Sequence, residues 1–132
     1  MNIKLTAKKV IGIHLEPIGD DQSKKATGAK VTLNNEVYSN KKNTNVFRVR
    51  YNATIIIEPI VKLDVTYDFD FSSITEIDDD FVRSLEVRST VPSLAYPYIK
   101  NYAEQLLGMS GYGYFNLPYF DFISDPLELP AK

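Results

Sequence analysis

Cysteine and tryptophan are absent from this 132-residue chain, and histidine occurs once, at His14. Without cysteine there is no disulfide, no thiolate metal site and no cysteine nucleophile, which fits a reducing cytoplasm. No glycine-rich phosphate loop, metal-spaced cluster or nucleophile motif is present. His14 falls on the polar side of the first predicted strand, where a surface role suits it better than that of a catalytic base. The chain is therefore not expected to be an enzyme, and no cofactor or metal is expected. No apolar run approaches the ~20 residues needed to span a bilayer, and Met1-Asn2-Ile3-Lys4 leads into no signal-peptide core. A soluble, cytoplasmic protein without membrane insertion is the expectation.

What is present is ordinary for a folded domain: 44% apolar and 24% charged residues, enough for one domain over 1–132 with a real core. The net charge of −2 hides an uneven split, because residues 1–50 carry ten Lys/Arg against four Asp/Glu. Such a split marks either a charged partner or two faces that pair in an oligomer, beside the plainer reading of solvated surface.

The clearest pattern is Val61–Phe71, where every odd residue is apolar or aromatic and every even one is charged or Thr. Side chains alternate across a strand, so one face of this strand packs and the other meets water. Strands are predicted over 3–15, 30–39, 46–57 and 61–71. In the first, Ile3, Leu5, Ala7, Ile11, Ile13 and Leu15 share a face, and the Lys8-Lys9 pair marks a bulge or a guarded edge. The Gly19–Gly28 stretch reads as a mobile loop. Short connections make an antiparallel meander the simplest order.

The period then changes. Asp78-Asp79-Asp80 ahead of Phe81, Val82 and Leu85 predicts a short helix over 78–89, its acids placed at the N-terminal turn rather than around a cation. Val91-Pro92 is expected to end it. Leu94, Ala95, Tyr98, Ile99, Tyr102, Ala103, Leu106 and Leu107 form a helical stripe over 94–107, with Gly108 as its stop. The tail 109–132 follows, and Pro126 and Pro130 exclude a long helix there. The expected fold is α+β, a four-stranded antiparallel sheet covered on one face by a long amphipathic helix.

Two constellations stand out. Tyr112, Tyr114, Phe115, Tyr119, Phe120 and Phe122 put six aromatics in eleven residues. They read either as a plug for the core or as the rim of an apolar groove for extended polypeptide. Stacking on nucleic acid would want a basic stripe, and this half of the chain is acidic, so nucleic acid is not an expected partner. Asp64, Asp68 and Asp70 line the polar face of the fourth strand. They either pair with Arg48 and Arg50 across the hairpin or form a docking surface for a basic partner.

The order of these elements, with Leu94-Ala95-Tyr96-Pro97-Tyr98 at the long helix and Asn116-Leu117-Pro118-Tyr119-Phe120-Asp121-Phe122 after it, resembles the SecB protein-export chaperones over about residues 30–125. The resemblance implies an ATP-independent holdase for unfolded or partly folded client proteins, assembled as a dimer or tetramer. It also implies clients in a groove lined by the Tyr112–Phe122 segment, and docking of the translocation ATPase SecA at an acidic sheet face that includes Asp64. Two departures are visible. Asp125-Pro126-Leu127-Glu128-Leu129-Pro130 leaves no room for the family's second C-terminal helix, and Arg48 and Arg50 dilute the acidic face. The alternative reading is an adaptor with one dedicated partner, such as a toxin–antitoxin-associated chaperone; a small-ligand pocket between sheet and helix is a third.

Overall fold

Alternation in the sequence becomes burial in the structure. The computed structural model describes residues 2–19 and 25–128. Four strands, β1 (Ile3–Pro17), β2 (Gly28–Ser39), β3 (Val46–Glu58) and β4 (Val61–Ser73), form one antiparallel sheet in the order β1-β4-β3-β2. A 3-10 turn (Phe81–Arg83), a one-turn helix α1 (Leu85–Arg88) and a long helix α2 (Thr90–Met109) follow. Among the described residues no helix is long and apolar enough to cross a membrane.

The odd residues of β3 and β4 supply the inner face. Val49, Tyr51, Ile57, Val61, Leu63, Phe69 and Phe71 are completely buried, and each such side chain contributes roughly 1.5–3 kcal/mol. Phe47 stacks on Phe71 and meets Phe81 edge-on. The inner side is closed by α2 through Val91, Ala95, Ile99, Ala103 and Leu107, spaced by four so that they form one line along the helix.

The expected meander holds for β2, β3 and β4 only. β1 lies beside β4, so the long connection before β2 carries the chain across the sheet, as in a Greek key. This gives β4, the most regularly alternating strand, a partner on each side. β1 is the guarded edge that its lysines predict. Thr6 and Ile11 are extra residues at two register shifts. The shared face expected for β1 is corrected by those bulges. Ala7 pairs with Asp70 on the outer side, whereas Lys8 and Val10 pair with Phe69 and Tyr67 on the inner side. The Lys8 ammonium sits 4.9 Å from the centre of the Tyr98 ring.

The helices also differ from expectation. The 78–89 segment is two short pieces parted by Ser84, whose hydroxyl accepts from the Val87 N–H. α2 begins at Thr90, so Pro92 lies in its first turn rather than ending the preceding helix. An N–H there has no partner to lose, and proline is tolerated. Leu94, expected on the buried stripe, is exposed, and Tyr96 is buried instead. The helix stop is Gly111 and not Gly108. Gly111 has φ +94°, its N–H reaches Gly108 O, and the Tyr112 N–H reaches Leu107 O at 3.0 Å, the paired bonds of a Schellman end. Residues 20–24 of the Gly19–Gly28 loop lie outside the described residues, as does the end of the tail beyond Glu128.

Candidate functional site: the aromatic segment and its cleft

The chain turns back along α2 after Gly111, and three polar tethers hold it there. Glu104 Oε2 accepts both the Leu117 N–H and the Lys100 ammonium at 2.7 Å. Lys100 also donates to Asn116 Oδ1. Tyr96 donates its hydroxyl to the Pro118 carbonyl at 2.7 Å. Leu117 is buried beneath these bonds.

The six aromatics of the segment divide between the two readings. Phe122 is buried, and Phe120 and Phe122 meet the Tyr96 ring at 5.1 and 5.9 Å between centroids. Tyr112, Phe115 and Phe120 are half-buried. Tyr114 and Tyr119 are each 80% exposed. The Tyr114 ring rests on the helix backbone at Gly108, where any Cβ would collide with it; this, rather than helix termination, is what the glycine provides.

Beyond Phe122 the chain makes a turn closed by Asp121, whose carboxylate accepts from Ser124 Oγ, Ser124 N and Ile123 N. Those bonds favour the ionised form and hold its pKa below the usual carboxylate value. Leu127 is then fixed to α1 by its N–H to Arg88 O and by its carbonyl, which accepts from Arg88 Nε.

Between this returning chain and β2 lies a cleft of about 660 Å³. One wall is Val31–Asn35 of the sheet edge; the other includes Phe120, Phe122 and Leu127, with Asp121, Asp125 and Glu128 at its rim. Sequence reading missed this cleft. β2 is the weakest of the predicted strands, and nothing local shows that its edge will meet a segment almost ninety residues further on.

On the opposite face the carboxylates of β4 are engaged. Arg48 grips Asp70 with bonds of 2.6 and 3.0 Å, and Arg50 grips Asp68 with 2.8 and 3.0 Å. These are the cross-strand pairs of the register. Each bidentate bond raises its arginine's pKa and keeps the guanidinium charged. Arg50 also lies 5.4 Å from the centre of the Tyr38 ring. Asp68 is 5% exposed, and Asp64 accepts from Thr54 Oγ1 at 2.7 Å.

The remaining candidates have structural surroundings. His14 is exposed and 3.4 Å from Glu16. Asp78 Oδ1 accepts the Phe81 N–H, but the acidic run lies ahead of the 3-10 turn and not within a first helical turn as expected. Among the described residues no group of His, Cys, Asp and Glu is placed to hold a metal ion.

No family model and no curated protein matches the chain. The fold, however, is that of the SecB-like chaperones. It superposes on the SecB-like chaperone of Mycobacterium tuberculosis, solved in complex with a peptide from the HigA1 antitoxin, with a TM-score of 0.73. The match covers 90% of this chain and 88% of that one at 14% identity. A Streptococcus agalactiae protein of unknown function is also similar, at 11% identity and a TM-score of 0.49, over 90% of this chain and 98% of that one.

Proposed function

We propose that this protein is a non-catalytic chaperone that holds unfolded or partly folded polypeptide along the exposed rings of the aromatic segment and in the cleft between that segment and β2. The observation that carries the reading is the division of labour along Tyr112–Phe122. Leu117 and Phe122 anchor the segment while Tyr114 and Tyr119 stand in solvent. A segment needed only as a core plug would turn its large rings inward, because each exposed ring forgoes burial energy. Open apolar contact suits a disordered client, which loses less chain entropy there than in a shaped pocket.

A dedicated client is favoured over general export. The similar mycobacterial chaperone was solved with an antitoxin-derived peptide, and here Asp68 and Asp70 are committed to Arg50 and Arg48. SecA docking through the outer face then rests on Asp64 alone. Assembly as a dimer or tetramer belongs to the same proposal, since several clefts on one particle multiply weak contacts through effective concentration.

The test is aggregation and refolding of unfolded clients without nucleotide. The wild-type chain should delay refolding, and Tyr114→Ser with Tyr119→Ser should remove the delay while the melting temperature stays put. Unchanged holding by the double variant, or no holding of any client including those captured from its own cell, defeats the proposal.

A further inference from the structure

The outer face of the sheet carries its charge unevenly. Across β4, β3 and β2 the register sets out two rows, Asp70-Arg48-Tyr38 and Asp68-Arg50-Glu36. Asp70 and Asp68 each give both carboxylate oxygens to one arginine, so the two forks are neutral, and Glu36 accepts from the Tyr38 hydroxyl. The charge left over belongs to lysines. On β1, Lys4 lies level with Ser72 and Lys9 with Asp68; past the end of β2, Lys41 and Lys42 stand on the loop. All four are exposed, and among the described residues none of them makes an ion pair. Two adjoining hollows of about 820 and 410 Å³ open here and share Arg48, Arg50 and Asp70. Lys41 and Lys42 line the larger and Lys9 the smaller. Neither has a residue in common with the cleft or with the acidic stretch 76–80.

We infer that this end of the outer face docks an acidic polypeptide segment of a partner protein, one that carries two clusters of Asp or Glu. Lys4 and Lys9 stand on one edge strand and Lys41 and Lys42 beyond the other, three strand spacings or about 14 Å away. An extended chain rises about 3.3 Å per residue, so acidic clusters about four residues apart reach both flanks. Between them the segment crosses the Arg48–Asp70 and Arg50–Asp68 forks, where fixed carboxylates form part of the floor. A polypeptide can place neutral residues over those carboxylates. A nucleic-acid strand carries a phosphate at every step and would set some of them against Asp68 and Asp70. Complementary charge at the two flanks fixes the register of the partner and speeds its encounter at low salt. Because this surface is separate from the cleft, the inference stands whether or not the cleft holds clients.

The experiment uses the full chain and three labelled probes: a capped serine peptide with two Glu-Glu pairs four residues apart, its Lys counterpart, and a five-nucleotide oligothymidylate bearing the same four charges. Fluorescence anisotropy at low salt should rank the Glu peptide first, with the other two weaker by about tenfold or more. Salt at about 1 M, where the screening length is about 3 Å, should abolish its binding. Lys41→Glu with Lys42→Glu should weaken the Glu peptide by about tenfold or more and leave melting temperature and native mass unchanged. Lys25→Glu with Lys30→Glu, the same change of net charge at exposed positions near the other end of β2, should leave binding within about twofold. No binding of the Glu peptide, or equal loss in the two double variants, overturns the inference. So does the oligothymidylate ranking first, which makes the patch a nucleic-acid surface, or a fall in native mass with the Lys41 and Lys42 changes, which makes it a contact between copies. Client holding by that variant should match the wild type, so failure of the chaperone reading and failure of this one are read separately.

Discussion

Tyr96 and Pro118 are joined by one hydrogen bond, from the buried phenol of α2 to the carbonyl of the returning chain, at 2.7 Å. It lies midway along the segment, between the buried Leu117 and the exposed Tyr119. A buried phenol usually finds a partner, and the bond that Tyr96 makes to Pro118 pins the aromatic segment against α2. Removing the hydroxyl as Tyr96→Phe should cost about 0.5–1.5 kcal/mol and raise hydrogen exchange over 116–122 while α2 keeps its helicity. Glu104→Ala, which strands the Leu117 N–H, should do the same. Loss of helical circular dichroism in either variant would show that the bonds support the helix instead.

The outer face separates structural from available carboxylates. Asp68 is buried in a fork with Arg50, so Asp68→Lys leaves two cations facing each other and should cost about 3 kcal/mol or more. Asp64→Lys loses only the bond from Thr54 and should cost about 1 kcal/mol. Urea melts of the two variants check the ranking. If a basic partner docks on this face, Asp64→Lys should abolish the docking with the fold retained, and binding that survives it would exclude this residue.

Alkaline pH offers a probe of the core. Burial pushes the Tyr96 hydroxyl up to about 12 and the Tyr51 hydroxyl higher still. A raised folded pKa leaves stability untouched below the unfolded value, roughly 10, and erodes it as pH climbs toward the folded one. Titration by ultraviolet absorbance should show a delayed phase, complete only with unfolding. Tyr51→Phe and Tyr96→Phe should each shrink the delayed phase; a single phase near pH 10 would contradict the burial.

Oligomerisation can be read from native mass. Ile13 lies on the inner face of β1, opposite Val65, yet is 49% exposed. Assembly through this edge predicts dimers or tetramers that Ile13→Lys splits into monomers. Ile11→Pro at the second bulge should do likewise, and an unaltered native mass in both variants would place the contact elsewhere.

The fold was legible where the pattern is strict and the neighbours are local. β3 and β4 alternate without a break, and their hairpin and cross-strand pairs follow from counting back from the three-residue connection Glu58-Pro59-Ile60. Strand order was not legible, because β1 pairs with β4 across some fifty intervening residues and no short-range signal records it. The helix start was misplaced because Pro92 reads as a breaker unless it is known to lie in a first turn. The aromatic segment was visible as composition. Which rings face inward depends on Tyr96 and Glu104, whose partners lie more than ten residues away, so sequence spacing alone does not sort them.

The bulges of β1 carry a last consequence. One inserted residue reverses which side every later side chain faces; a second restores it. Ile3 and Leu5 before Thr6, and Ile13 and Leu15 after Ile11, therefore keep the same phase, and only the short run between them is inverted. The strand works as a compensated frameshift. Deleting Thr6 or Ile11, singly or together, should remove a bulge and straighten the edge while every other residue keeps its partner on β4, Lys8 still facing inward opposite Phe69.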